Sequence, residues 1–241
     1  MLFFVGIPNP HNIRHVTRAF VSVNALLRRK GDFAANEWIL DSGAFSQVTK
    51  HGHFVLSVEA YASQIDRWAR CGTMLAAVAQ DFMCEPFALN ATGATVADHQ
   101  RWTIERYVAL RDAVRSVPIM PVLQGWTVEN YVSHVRQYGA LLAQGAWVGV
   151  GSICKRNSNV GYVAAIIEAI KKERHDLRLH GFGLKITALG DARVRDALHS
   201  ADSMAWSFAA RRSGQGANNV RHAIAFSARV AAMPVQTGLA L

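Results

Sequence analysis

The sequence predicts an α/β architecture, a single (β/α)8 TIM barrel, and three observations predict it. Eight short apolar, β-rich runs alternate with segments of helical spacing over 241 residues. Several of these runs are apolar on both faces, as strands of a parallel sheet covered by helices must be. No Pro/Gly/Ser-rich linker, low-complexity tract or internal repeat divides the chain, so residues 1–241 read as one domain with a short tail at 233–241. An open doubly wound sheet satisfies the same alternation and is the competing architecture.

In chain order, strands are expected at 2–7, 20–25, 38–41, 75–80, 119–123, 147–151, 179–184 and 203–208. Val58, Tyr61, Ile65 and Trp68 form one helical stripe between the third and fourth. Val128, Tyr131, Val135, Tyr138 and Leu142 form another after the fifth, with Thr127 available as N-cap. Val163, Ile167 and Ile170 follow the sixth, and Val220, Ile224 and Phe226 open a last helix.

Composition narrows the class. With 51% hydrophobic and 18% charged residues, the chain reads as a compact globule rather than a disordered one. No apolar run reaches the roughly 18 residues a membrane span needs. "MLFFVGI" is too short for a signal peptide and lacks a basic leader, so a cytoplasmic protein without a membrane partner is expected. Cys71, Cys84 and Cys154 show no CxxC spacing; free thiols and no metal are expected. The net charge of +9 favours a polyanionic partner, chiefly nucleic acid.

In a barrel, chemistry sits where strands end. The third strand ends in Asp41, the fourth in Gln80-Asp81, and the fifth runs into Gln124-Gly125-Trp126. The sixth, "WVGVGSICKR", offers Gly149 and Gly151 for close backbone approach. "LHGFGLK" forms the seventh, and the last begins "ADSMAWS" with Asp202. An Asp after a strand is commonly a helix cap or turn former, and a Gln there a satisfied structural amide. Three aspartates and a glutamine on one rim are different: packed carboxylates repel, and a fold keeps them mainly where a ligand uses them.

"DSGAF", "QDFMCEP", "VLQG", "VGVGS", "HGFGLK" and "ADSMAWS", in that order, resemble the tRNA-guanine transglycosylase superfamily, and most closely its DpdA-like 7-deazaguanine DNA transglycosylases. The resemblance covers about residues 2–230. It implies a TIM barrel that exchanges guanine in a polynucleotide for a 7-deazaguanine, preQ0 (7-cyano-7-deazaguanine) or a derivative. It assigns Asp202 as nucleophile and Asp41 as acid/base. Phe45 would stack on the base, with Ser42, Gly43 and Ala44 leaving room for it. Asp81 would read N1–H and the exocyclic amine, Gln124 would lie near O6, and Gly149, Val150 and Gly151 would approach the purine edge. His180 would pack on the other face of the base.

The partners implied are DNA and the free base, with no cofactor, since one glycosidic bond replaces another. A phage or mobile-island setting and restriction evasion are implied with them. Lys155, Arg156, Arg211 and Arg212 are the candidate phosphate contacts; each also reads as a solvated surface charge.

The sequence departs from the tRNA enzymes in lacking their zinc-binding insertion, which speaks against tRNA and against their dimer. Ser152-Ile153 replace the usual Glu after the sixth-strand glycines, a position that influences the 7-substituent. A tRNA-acting enzyme, a non-catalytic nucleic-acid-binding paralogue and an unrelated barrel acting on a small phosphorylated substrate are the alternatives. The last would use "RRSGQG".

Overall fold

The computed structural model describes residues 1–156, 159–214, 216 and 218–234, with Lys155 described by its backbone alone. Its strands are β1 (Leu2–Gly6), β2 (Arg18–Ser22), β3 (Glu37–Asp41), β4 (Thr73–Val78), β5 (Ile119–Met120), β6 (Val122–Leu123), β7 (Trp147–Val150), β8 (Arg178–Gly181) and β9 (Ser200–Ser203). They lie in the order β5-β4-β3-β2-β1-β9-β8-β7-β6, and every neighbouring pair is parallel.

The two ends of that order are halves of one strand. Pro121, which has no N–H to give a ladder, separates β5 from β6. β5 pairs with β4 and β6 with β7. The Pro121 carbonyl still accepts from Gly149 N–H at 2.8 Å, and Met120 O from Ala79 N–H at 3.0 Å. The run at 119–123 thus joins both edges, and the sheet is a nearly closed barrel alternating with helices, as the sequence predicts.

Alternation along the strands divides the core. Phe4, Ile39, Ala76, Val78, Met120 and Val122 pack together inside the barrel. Their neighbours Val5, Leu40, Ala77 and Leu123 pack outward against the helices. The expected helical stripes appear as Val58–Trp68, Val128–Tyr138, Val160–Glu173 and Val220–Ala231. Thr127 caps the second of these in a reciprocal box with Asn130. That helix stops at Gly139, and Leu142 packs into the core beyond it.

The last strand requires correction. It spans Ser200–Ser203 rather than 203–208, so Asp202 lies inside it. Leu2 to Val5 pair with Ser200 to Ser203, and the chain then turns into the helix Ala205–Arg212. Trp206, Ser207 and Ala210 are that helix's buried side, while Met204 and Phe208 stay exposed; the apolar run has helical spacing. At 20–25 the strand ends at Ser22, opposite Asp41, and Val23–Ala25 form a 3-10 turn. Gly183, in the left-handed region at φ 61°, lies beyond the end of β8 at Gly181, short of the expected residue 184. Among the described residues no helix is long and apolar enough to cross a membrane.

Candidate active site

The C-terminal ends of the strands surround a cavity of about 180 Å³ lined by Asp41, Asp81, Gln124, Gly151 and Asp202, with Phe45 among its walls. Three carboxylates and an amide therefore do converge from β3, β4, β6 and β9. Asp41 ends β3, and its Oδ2 accepts from Gly43 N–H at 3.0 Å. Gly43 has φ 74°, and the Asn24 amide lies 2.4 Å from where a Cβ would stand. The small residues of "DSGAF" thus serve the turn and the Asn24 contact; of the three, Ala44 alone lines the cavity. Burial lifts the Asp41 carboxyl to about 6, and the Asp202 charge adds to this against the opposing bonds from Gly43, Ser22 and Ser42.

Asp81 is buried, and its Oδ2 accepts from Gln124 Nε2. Burial lifts this carboxyl to about 7, with the charges of Asp41 and Glu85 reinforcing it and the Gln124 bond opposing it. Gln80, one residue earlier, is a structural amide: it donates to Leu56 O at 2.9 Å and accepts from Arg106 at 2.7 Å.

Asp202 Oδ1 accepts from Gly183 N–H at 3.0 Å and lies 3.3 Å from His180 Nε2. A carboxylate only accepts, so a neutral His180 carries its proton at Nε2, and Nδ1 accepts the Ser200 hydroxyl proton across 2.9 Å. Trp147 Nε1–H, a donor only, occupies a lone pair of the same Ser200 oxygen at 2.7 Å. The chain Trp147–Ser200–His180–Asp202 is thus directional, and it orients the carboxylate from beneath.

That geometry changes the reading of His180. It is fully buried, stacks on Phe20 with centroids 5.6 Å apart, and does not line the cavity. Gly149 and Val150 also stay off the cavity wall. The Phe182 ring comes within 2.3 Å of a Cβ built on Gly149, and Val150 points into the outer core. Close approach at this strand reduces to Gly151, against which the Gln124 amide packs. Phe45 stands at the mouth, 47% exposed and edge-on to Phe87 at 6.0 Å.

Among the candidate phosphate contacts, Arg156 is held between the Trp126 and Tyr162 rings, 3.8 and 4.3 Å from their centroids, and donates to Trp126 O. Arg211 and Arg212 are exposed at the end of the helix Ala205–Arg212, away from the cavity wall. The Lys155 side chain lies outside the described residues, as do Gln215 and Ala217 of "RRSGQG" with its neighbour and the tail at 235–241.

The sequence reading missed Phe182 and Glu85, which line the cavity; Ser152, named there only for its influence on the 7-substituent, lines it too. Phe182 and Ser152 lie within quoted strand-end motifs, and Glu85 within "QDFMCEP"; position after a strand was the available signal. Among the described residues no group of three or more His, Cys, Asp or Glu could hold a metal ion.

No curated protein matches the chain. The family model described as DpdA, DeoxyPurine in DNA protein A, matches residues 1–231, from β1 to the end of the last helix. The chain belongs to the DpdA family.

Proposed function

We propose that this protein exchanges guanine in DNA for a 7-deazaguanine, preQ0 or a derivative, through a covalent aspartyl-glycosyl intermediate. The observation that carries this reading is one cavity holding a hydrogen-bonded carboxylate, Asp202, a carboxyl poised near neutrality, Asp41, and an Asp81–Gln124 pair. Guanine presents two donors side by side, N1–H and the exocyclic amine, and ionised Asp81 accepts both. In this reading the Gln124 amide donates to O6.

Asp202 attacks C1′ as the C1′–N9 bond breaks, and the oxocarbenium character that develops is stabilised by the carboxylate itself. Protonated Asp41 delivers its proton to a ring nitrogen of the departing purine. The incoming base returns a proton to Asp41 from N9–H, and its N9 displaces Asp202 from C1′. Two inversions retain configuration, as in retaining glycosidases, and bond energy is conserved without a nucleotide cofactor.

The target nucleotide must leave its stack to reach the cavity, and the exposed Phe45 ring at the mouth supports stacking on the extruded base. The family description and the +9 charge support DNA as the polymer.

The test is incubation with guanine-containing DNA and isotope-labelled preQ0, then nucleoside mass spectrometry, with tRNA and Asp202→Ala in parallel. Label in DNA that disappears with Asp202→Ala is expected. Label in tRNA alone would replace the substrate and keep the mechanism. Undiminished exchange by Asp202→Ala would remove the nucleophile assignment.

A further inference from the structure

The net charge of +9 is not spread over the chain. Residues 1–31 contain five Lys or Arg and no Asp or Glu, and residues 203–241 contain four Arg and no Asp or Glu. Residues 32–202 hold 17 cations and 17 carboxylates, so the whole excess belongs to the two terminal stretches.

The fold lays those stretches side by side. Leu2 to Val5 pair with Ser200 to Ser203, and Val5 and Gly6 with Ala19 and Phe20, so β9, β1 and β2 are successive neighbours. Phe226 of the last helix meets Phe3 with ring centroids 5.9 Å apart. Asn12 Nδ2 donates to Asn218 O at 3.0 Å, which ties the connection after β1 to the one after β9. Arg29 Nη1 lies 3.5 Å from His11 Nε2, which brings up the connection after β2. Arg14, Arg28, Arg211, Arg212 and Arg221 are exposed along this flank.

The charges there are also uncompensated. Among the described residues Arg18 alone of the nine cations is ion-paired, to Glu37 at 2.6 Å. Across the barrel Arg101 bridges Asp98 and Glu105 at 3.1 Å each, and Arg136 holds Glu173 at 2.8 Å. Like charges gathered on one flank repel each other and draw in anions. Duplex DNA, with about one negative charge per 1.7 Å of axis, is the anion whose charge runs on over such a length.

The flank stands on a definite side of the cavity. The base-reading pair Asp81 and Gln124 comes from the β4 and β6 ends, and the acids that work at C1′, Asp41 and Asp202, from β3 and β9. In the sheet order β3 leads to β9 through β2 and β1. A nucleotide with its base on Asp81 and its sugar between Asp41 and Asp202 therefore turns its phosphates towards that arc. On the opposite arc, Arg156 after β7 is already held between the Trp126 and Tyr162 rings.

We propose that the flank built by β9, β1, β2 and their connections is the track for the DNA backbone, with Arg14, Arg28 and Arg221 as phosphate contacts, and that the strand leaves the cavity over this side. The inference rests on the base-exchange reading and adds the path of the DNA.

Fluorescence anisotropy of a guanine-containing duplex from low to physiological salt tests it, with incorporation of isotope-labelled preQ0 read on the same preparations. Arg14→Ala, Arg28→Ala and Arg221→Ala together should lower the slope of log K against log salt by about 2–3, at about 0.9 per phosphate contact. Arg101→Ala, Arg115→Ala and Arg136→Ala remove the same charge from the other side and should lower it by less than about 1. Arg14→Lys, Arg28→Lys and Arg221→Lys together keep the charge and should keep the wild-type slope, which separates lost contacts from a lost fold. Equal losses in the two alanine triples would overturn the inference, because the charge would then act only in bulk. An unchanged slope in the first triple would overturn it as well. Label entering DNA beside either of these results would leave base exchange standing. The expected slopes without any label from the wild type would remove base exchange and keep the track.

Discussion

Two carboxyls near neutrality share one cavity, Asp41 at about 6 and Asp81 at about 7, both lifted chiefly by burial. In the proposed chemistry Asp41 works protonated and Asp81 works ionised. Asp41 loses its proton as pH rises and Asp81 its charge as pH falls. The rate of covalent adduct formation should therefore be bell-shaped, highest between pH 6 and 7, with limbs that belong to the coupled pair. Rapid-quench trapping across pH checks this, and Asp81→Asn should erase the acid-side limb. His180 is a positioning residue, since it touches Asp202 rather than the cavity. His180→Ala should lower kcat about 10- to 100-fold, the worth of a hydrogen bond to a charged group. KM for the free base should hardly change, and His180→Gln should recover part of the loss. A KM effect in place of a kcat effect would return His180 to the base-packing role that the resemblance implies.

The turn after β3 is where an element decides the geometry of the site. Gly43→Ala meets two obstacles, a left-handed φ of 74° and the Asn24 amide 2.4 Å from the new Cβ. Gly93, at φ 68° with nothing within 4 Å of a built Cβ, has the first obstacle alone. Gly93→Ala should cost about 1 kcal/mol, read by thermal denaturation, and leave exchange intact. Gly43→Ala should cost more and slow exchange at least about tenfold, because the N–H that holds Asp41 moves with the turn. Equal losses would show that Gly43 matters only for its backbone angle. Helix Val96–Ala113, 18 residues long, escaped the reading of the sequence because the first half of its buried face, His99, Gln100 and Thr103, is polar. His99 Nδ1 bonds Met83 O at 2.6 Å, Gln100 donates to Gln124 O at 2.7 Å, and Thr103 Oγ1 accepts from Phe82 N–H at 2.9 Å. These side chains brace the loops that carry Asp81 and Gln124, so the apolar stripe is confined to the second half, at Ile104, Tyr107, Val108 and Leu110. Its visible signal was the Thr95–Asp98 capping box.

Across the whole molecule the +9 charge should make DNA affinity fall steeply with salt. Replacing both Arg211 and Arg212 by Ala should lower the slope of log K against log salt by about 1–2, the counterions two phosphate contacts release. An unchanged slope, measured by fluorescence anisotropy from low to physiological salt, would leave both as solvated charges. The strand–helix alternation and the acids at strand ends were legible because both are local properties. Strands at 38–41 and 147–151 are apolar runs, and Asp41, Asp81 and Gln124 stand at or just past strand ends whatever the neighbours are. What no local pattern contains is adjacency. Cys84 meets Ser152 across 68 residues, and His180 meets Asp202 because β8 and β9 pair with His180 opposite Ser200. The sequence by itself determined the alternating architecture and the acids at its mouth, since periodicity and strand ends are written residue by residue. Only the tertiary structure decided that His180 supports Asp202, that Phe182 fills the space beside Gly149 and that Glu85 faces Ser152. Each depends on which strand closes next to which, and barrel closure through the broken strand at Pro121 sets that order.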